Sequence, residues 1–163
     1  MKQGIVIADA GPIFSLAIVN KLHILDELFD DVKIPMAVWD EITLNKESKI
    51  YPPIVAYFSD KVQEIEGFNE LTFIMDYGES ESVILYKEIN ADILLIDDKK
   101  ARKIAENFGV QCMGTIGLLL SARQKGIVGE LRPIFDLFIS NDRFYSIDLL
   151  NKVLLRSNEE PID

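Results

Sequence analysis

Short, uninterrupted apolar runs alternate along this chain with longer stretches in which apolar residues recur every three or four positions. The two clearest runs are Gly4-Ile5-Val6-Ile7-Ala8 and Ile93-Leu94-Leu95-Ile96. Both are too short for a buried helix and are dominated by branched aliphatic residues, the pattern of strands covered on both faces of a parallel sheet. Val32-Lys33-Ile34, closed by Pro35, predicts a short strand, and residues 62–65 and 110–112 predict two more. Helical periodicity covers residues 11–19, 22–29, 36–44, 52–58, 79–90, 98–108 and 115–124, with further segments over 130–139 and 148–155. Strands that alternate with helices in this way indicate the α/β class, with a mostly parallel sheet and right-handed crossovers. No repeat, low-complexity tract or Gly/Ser linker interrupts the pattern, so residues 1–163 are expected to form a single domain.

Acids stand where the two clearest runs end. Asp9 follows the first directly, and the pair Asp97-Asp98 follows the second. The carboxyl ends of strands form the ligand-binding edge of open parallel sheets, so these acids are expected on one edge. A carboxylate beside buried strands is costly unless paired, and a bound cation relieves that cost.

Helical spacing selects two further acids. After Gly78, Glu81 shares a face with Ile84, Leu85 and Glu88, whereas Glu79 lies in the first turn, where an acid complements the helix dipole. Glu81 is therefore the expected inward ligand. After Pro35, Glu41 lies over Ala37 and Val38 and is preferred to Asp40. Asp97 and Asp98 both remain candidates, with Asp98 equally suited to cap the helix that begins at Lys99. A donor set made of oxygen alone suits hard ions, Mg²⁺ or Mn²⁺, rather than zinc. Hard ions held by carboxylates point to phosphodiester hydrolysis, which needs no Ser, Cys or His nucleophile.

Composition qualifies this picture. With 48% hydrophobic and 27% charged residues the chain is an ordinary globular one with a substantial core. A net charge of −10 argues against coating nucleic acid by counterion release, so phosphate binding has to rest on ions within the site. An acidic body also suits a basic protein partner. Cys112, the single cysteine, excludes an intramolecular disulfide and reads as a small buried residue near a strand. His23, the single histidine, is isolated from the acids and reads as a helix-surface residue. Lys99, Lys100, Arg102 and Lys103 read as a solvated helix face, and Thr115 as a helix cap. Asp9, Gly11 and Pro12 break the first apolar stretch, so it is not read as a signal peptide; a cytoplasmic location without membrane attachment is expected.

Five segments in order carry a family resemblance: Ile7-Ala8-Asp9-Ala10-Gly11-Pro12-Ile13, Ile34-Pro35-Met36-Ala37-Val38-Trp39-Asp40-Glu41, Gly78-Glu79-Ser80-Glu81-Ser82-Val83-Ile84, the stretch from Leu94 through Asp97-Asp98 to Arg102, and Gly114-Thr115-Ile116-Gly117-Leu118-Leu119-Leu120. Together they resemble the PIN-domain family, and within it the VapC-like subgroup whose first strand runs into Asp-Ala-Gly-Pro. The resemblance implies a three-layer α/β/α sandwich around a mostly parallel sheet. It also implies a metal-dependent endoribonuclease, often the toxin of a type II toxin–antitoxin pair, with RNA as substrate, an antitoxin protein as partner and a homodimer as the assembly. Carried over residue by residue, Asp9 matches the first ligand, Glu41 the second, Glu81 the acid of the third motif and Asp97 or Asp98 the last. Many relatives carry Asp where Glu81 stands. A phospho-aspartate enzyme is the poorer reading, because such phosphatases place a second Asp two residues after the nucleophile and position 11 here is Gly. The other alternative is a catalytically weak PIN fold that serves as a protein-binding module.

Overall fold

The computed structural model describes all 163 residues. At its centre is β1 (Ile5–Ala8), in which Val6, Ile7 and Ala8 have no exposed surface. It pairs in parallel with β2 (Asp31–Lys33) on one side and β3 (Ile93–Leu95) on the other, and β4 (Cys112–Met113) adds beyond β3. The sheet order is therefore β2-β1-β3-β4. A strand expected over 62–65 reduces to one parallel bridge between Ile34 and Val62. Val62 packs against one core and Ile65 against the other, while Gln63 and Glu64 between them are exposed, so the segment offers no continuous apolar face to a neighbouring strand.

Alternation along the strands sends side chains to two separate cores. Val6, Ala8, Val32 and Leu95 enter a cluster of 31 buried residues. That cluster takes in α1 (Ala10–Ile18), α2 (Ile24–Leu28), α3 (Met36–Ile42), α4 (Tyr51–Phe58), α7 (Thr115–Gln124), α8 (Arg132–Ser140) and α9 (Ile147–Arg156). Ile7 and Leu94 point the other way, into a cluster of 11 residues beneath α5 (Tyr77–Glu88) and α6 (Lys99–Asn107). The result is the expected α/β/α sandwich, with one helical layer much thicker than the other.

Helix limits depart from the periodicity by a few residues at most elements. Helix α2 is shorter than expected because Leu22 and His23 precede it, with His23 at the N-cap. The C-terminal apolar stretch divides along the face of α9: Leu150, Val153 and Leu154 are core, while Leu149 and Leu155 are exposed. No helix is long and apolar enough to cross a membrane.

The topology fixes where a ligand can sit. The chain leaves β1 to build β2 on one side and later returns to build β3 on the other, so the strand order reverses between β1 and β3. Crevices open outside the carboxyl ends of strands at such a switch point. The two ends are tied together here, since the Asp9 backbone N–H donates to the Leu95 carbonyl at 2.9 Å. Asp9 and the residues that follow Leu95 consequently share one crevice.

Candidate active site

Asp9 occupies the N-cap position of α1 but makes no side-chain capping hydrogen bond. Its residue is 8% exposed, and Oδ1 is buried without any hydrogen-bond partner. Burial is the main reason that its pKa rises to about 7; the Ala10 N–H pulls the other way, while the carboxylates of Glu79, Glu41 and Asp97 raise it further. A carboxylate so placed has no reason to exist for stability alone, because an unpaired buried oxygen is a net penalty.

Glu41 and Glu79 reach this crevice from two packed helices, α3 and α5. The helices meet closely where α5 has a glycine: a Cβ on Gly78 would lie 3.0 Å from Glu41 Oε2, 3.5 Å from Val38 Cγ2 and 3.8 Å from Asp9 Oδ1. Gly78 thus leaves the space in which two carboxylates of the site approach each other. Burial and then the charge of Asp76 hold the Glu41 carboxyl above its ordinary pKa. Glu79 is raised by burial and by Asp76, Asp98 and Glu41, against the backbone at Asp76. Gly78→Ala is expected to leave the melting temperature unchanged or slightly higher, since Ala is the better helix residue, while reducing catalytic turnover by about tenfold through displacement of Glu41. Thermal denaturation beside a cleavage assay checks both halves.

Asp97 and Asp98, which the sequence leaves equivalent, have different tasks. Asp98 is the N-cap of α6, its Oδ1 accepting from the Ala101 N–H at 2.8 Å. Asp97 faces the crevice and is held by three donors: the Thr115 N–H at 2.8 Å, the Thr115 hydroxyl at 2.7 Å and the Tyr145 hydroxyl at 2.8 Å. Thr115 therefore donates to Asp97 rather than capping α7 itself, and the carboxylate sits at the positive end of that helix. Tyr145 also shares a 2.6 Å hydrogen bond with Ser15, whose Oγ accepts from Arg143 Nε at 3.0 Å. Arg143 Nη2 in turn donates to the Gly11 carbonyl at 2.9 Å. Burial and the neighbouring Asp97 push the Tyr145 phenol up to about 12, so it stays a proton donor. Tyr145→Phe is expected to lower stability by about 1–3 kcal/mol for the two hydrogen bonds lost to Asp97 and Ser15, measurable by urea denaturation.

Glu81, expected to join the cluster, is taken up elsewhere. It is 6% exposed, and its Oε1 accepts from the Ala37 N–H at 3.1 Å, satisfying a free donor at the start of α3. Its charge is not among those acting on Asp9, whereas that of Glu79 is. Of the acids singled out in the sequence, Asp9, Glu41 and Asp97 lie near one another, with Glu79 and the flanking Asp76 beside them, while Asp98 and Glu81 each accept a backbone N–H at a helix start. Sequence reasoning also missed Tyr145, Ser15 and Arg143, which are far apart in the chain and carry no motif. None of these acids takes part in an ion pair; the salt bridges of the molecule lie at other positions. His23 is largely exposed beside Glu27, and burial pushes the Cys112 thiol up to about 11, so neither competes as the reactive group.

A parallel sheet with an acidic crevice at its switch point has its candidate ligand site where open α/β sheets bind ligands, and sequence comparison places the chain more closely. Residues 5–159 match the family model DUF3368, described as a PIN domain. The chain belongs to the PIN-domain family. No curated protein matches it. Among solved structures, a domain of a functionally unknown protein from Methanocaldococcus jannaschii DSM 2661 is similar at 20% identity and a TM-score of 0.42, over 68% of this chain and 89% of its own.

Proposed function

We propose that the protein is a divalent-cation-dependent endoribonuclease, a VapC-like member of its family that acts as the toxin of a toxin–antitoxin pair. The observation that carries the reading is the Asp9 carboxylate, buried with Oδ1 unpartnered and surrounded by the charges of Glu41, Glu79 and Asp97. That donor set fits a hard ion. Mg²⁺ or Mn²⁺ held by Asp9, Glu41, Glu79 and Asp97 would offset phosphate charge and activate water for phosphodiester hydrolysis.

The chain's own residues prepare the site in distinct ways. Asp9 is fixed by burial at a strand end. Asp97 is oriented by Thr115 and Tyr145, and the Arg143 bond to Gly11 secures the turn after Asp9. No three of these acids already form a coordination shell. Glu41 and Glu79, less enclosed than Asp9, are the two with room to move toward it. A basic antitoxin suits the net charge of −10, and homodimerisation suits the apolar residues left exposed on α9.

Purified protein incubated with single-stranded RNA tests the reading. Cleavage should require Mg²⁺ or Mn²⁺, stop with chelator and disappear in Asp9→Asn. Undiminished cleavage by a clean Asp9→Asn preparation overturns it.

A further inference from the structure

Arg123 and Arg132 each pair with a carboxylate, Glu159 and Asp136. Arg143 pairs with none. Its Nε donates to the Ser15 hydroxyl at 3.0 Å and its Nη2 to the Gly11 carbonyl at 2.9 Å, two neutral acceptors on α1. In a molecule of net charge −10 that choice is unexpected, because a guanidinium gains most from carboxylates. The segment that carries it is well fixed. The Arg143 backbone N–H donates to the Phe138 carbonyl at 2.8 Å, and the Tyr145 ring packs 5.2 Å from that of Phe138.

The direction of the hydrogen bonds follows from what each group can offer. A guanidinium has donors only, and a carboxylate accepts. Tyr145 has a single proton, which goes to Asp97 Oδ2 at 2.8 Å. The 2.6 Å bond between Ser15 and Tyr145 is therefore donated by Ser15, whose oxygen accepts from Arg143. The reverse order would leave the Ser15 proton without an acceptor at a residue with no exposed surface. The chain thus runs one way, from Arg143 through Ser15 and Tyr145 to Asp97, and bonds aligned in this manner polarise one another. It ends at Oδ2, which also accepts the Thr115 hydroxyl, while Oδ1 takes the Thr115 N–H. Of roughly four lone-pair positions on a carboxylate, the one left open is on Oδ1.

We infer that Arg143 is a positioning residue of the cation site. Acting through Ser15 and Tyr145 it fixes the Asp97 carboxylate with Oδ1 open, and through the Gly11 carbonyl it ties that carboxylate to the turn that follows Asp9. The role rests on the divalent-cation reading and adds to it a brace between the two strand ends that carry the acids. Its sign separates it from simple charge. Arg143 is itself a cation, so if charge alone acted, its removal would tighten the binding of another cation. Acting by position, its removal weakens that binding.

Mn²⁺ titration of the metal-free full-length protein, with free Mn²⁺ read by electron paramagnetic resonance, tests the role in Arg143→Met, Ser15→Ala, Tyr145→Phe and the variant that combines Arg143→Met with Tyr145→Phe. Melting curves recorded beside it set a temperature at which each protein is folded. Arg143→Met and Ser15→Ala should each weaken Mn²⁺ binding about tenfold, the lower end of the loss that follows removal of a ligand's supporting partner. The combined variant should bind no more weakly than Tyr145→Phe alone, because both changes cut one chain. Ser15→Ala keeps the Arg143 bond to Gly11 and decides the matter where Arg143→Met does not fold. A purely structural tie would lower the melting temperature and leave Mn²⁺ affinity alone. Tighter or unchanged binding in Arg143→Met or Ser15→Ala, or losses that add in the combined variant, overturns the role while the cation site stands. If the unmodified protein binds no Mn²⁺, both fall.

Discussion

Asp9→Asn is expected to make the metal-free protein more stable at pH 8 while abolishing its cleavage of RNA. The sign follows from the raised pKa. Asp9 titrates near 7 in the folded protein, against about 3.9 for an unfolded chain. Between those values the folded state holds the proton more tightly, so stability contributed by the protonated carboxyl is present at acid pH and declines as pH rises through 7. Three pKa units correspond to about 4 kcal/mol as an upper limit. The Asn variant escapes this penalty but still buries an amide, so a gain of about 1–3 kcal/mol at pH 8 is expected. Below pH 4 the gap should close. The groups that oppose the Asp9 charge come from every element around it: Glu41 on α3, Glu79 on α5 and Asp97 after β3. Urea denaturation of both proteins from pH 4 to pH 8, with chelator present, measures the effect. A variant that is less stable at every pH contradicts the assignment of Asp9 as a strained, cation-seeking group.

The second large effect separates Glu79 from Glu81. Glu79→Gln is expected to lower the cleavage rate by roughly a hundredfold or more, the scale of losing one charged group from a site that stabilises phosphate charge, with melting temperature unchanged or raised. Glu81→Ala is expected to do the reverse. It removes the acceptor for the Ala37 N–H within a buried contact, destabilising the protein by about 1–3 kcal/mol, while activity per folded molecule falls far less. Paired denaturation and rate measurements on the two variants decide it. Loss of activity at full stability in Glu81→Ala would return Glu81 to the metal site.

These two acids also mark the limit of what the sequence discloses. The strand ends were legible because an aspartate after four apolar residues emerges at the end of a buried strand, which located Asp9 and the Asp97-Asp98 pair. Helical spacing correctly turned Glu81 inward. Inward, however, meant toward the start of α3, where free backbone N–H groups compete with any cation for a carboxylate. Glu79 reads as a first-turn acid in any helix, and only the packing of α5 on α3 through Gly78 aims it at Asp9. The choice between Asp97 and Asp98 was equally a tertiary matter, since Thr115 and Tyr145 approach from residues 18 and 48 positions away. Tyr145, Ser15 and Arg143 form their network only once the segment between α8 and α9 folds back onto α1. Polar residues scattered in this way produce no periodicity to detect. The strand expected over 62–65 shrank to one bridge because its two apolar residues pack into different cores, Val62 into one and Ile65 into the other, with Gln63 and Glu64 exposed between them.

Direct measurement of Mn²⁺ binding tests the carboxylate cluster most sharply. Free Mn²⁺ can be followed by its electron paramagnetic resonance signal during titration of the metal-free protein at pH 7.5, beside Asp9→Asn and Glu79→Gln. The expected result is saturable binding by the unmodified protein that is lost in Asp9→Asn and strongly weakened in Glu79→Gln. Equal binding by all three proteins, or none by the unmodified one, contradicts a cation site centred on Asp9.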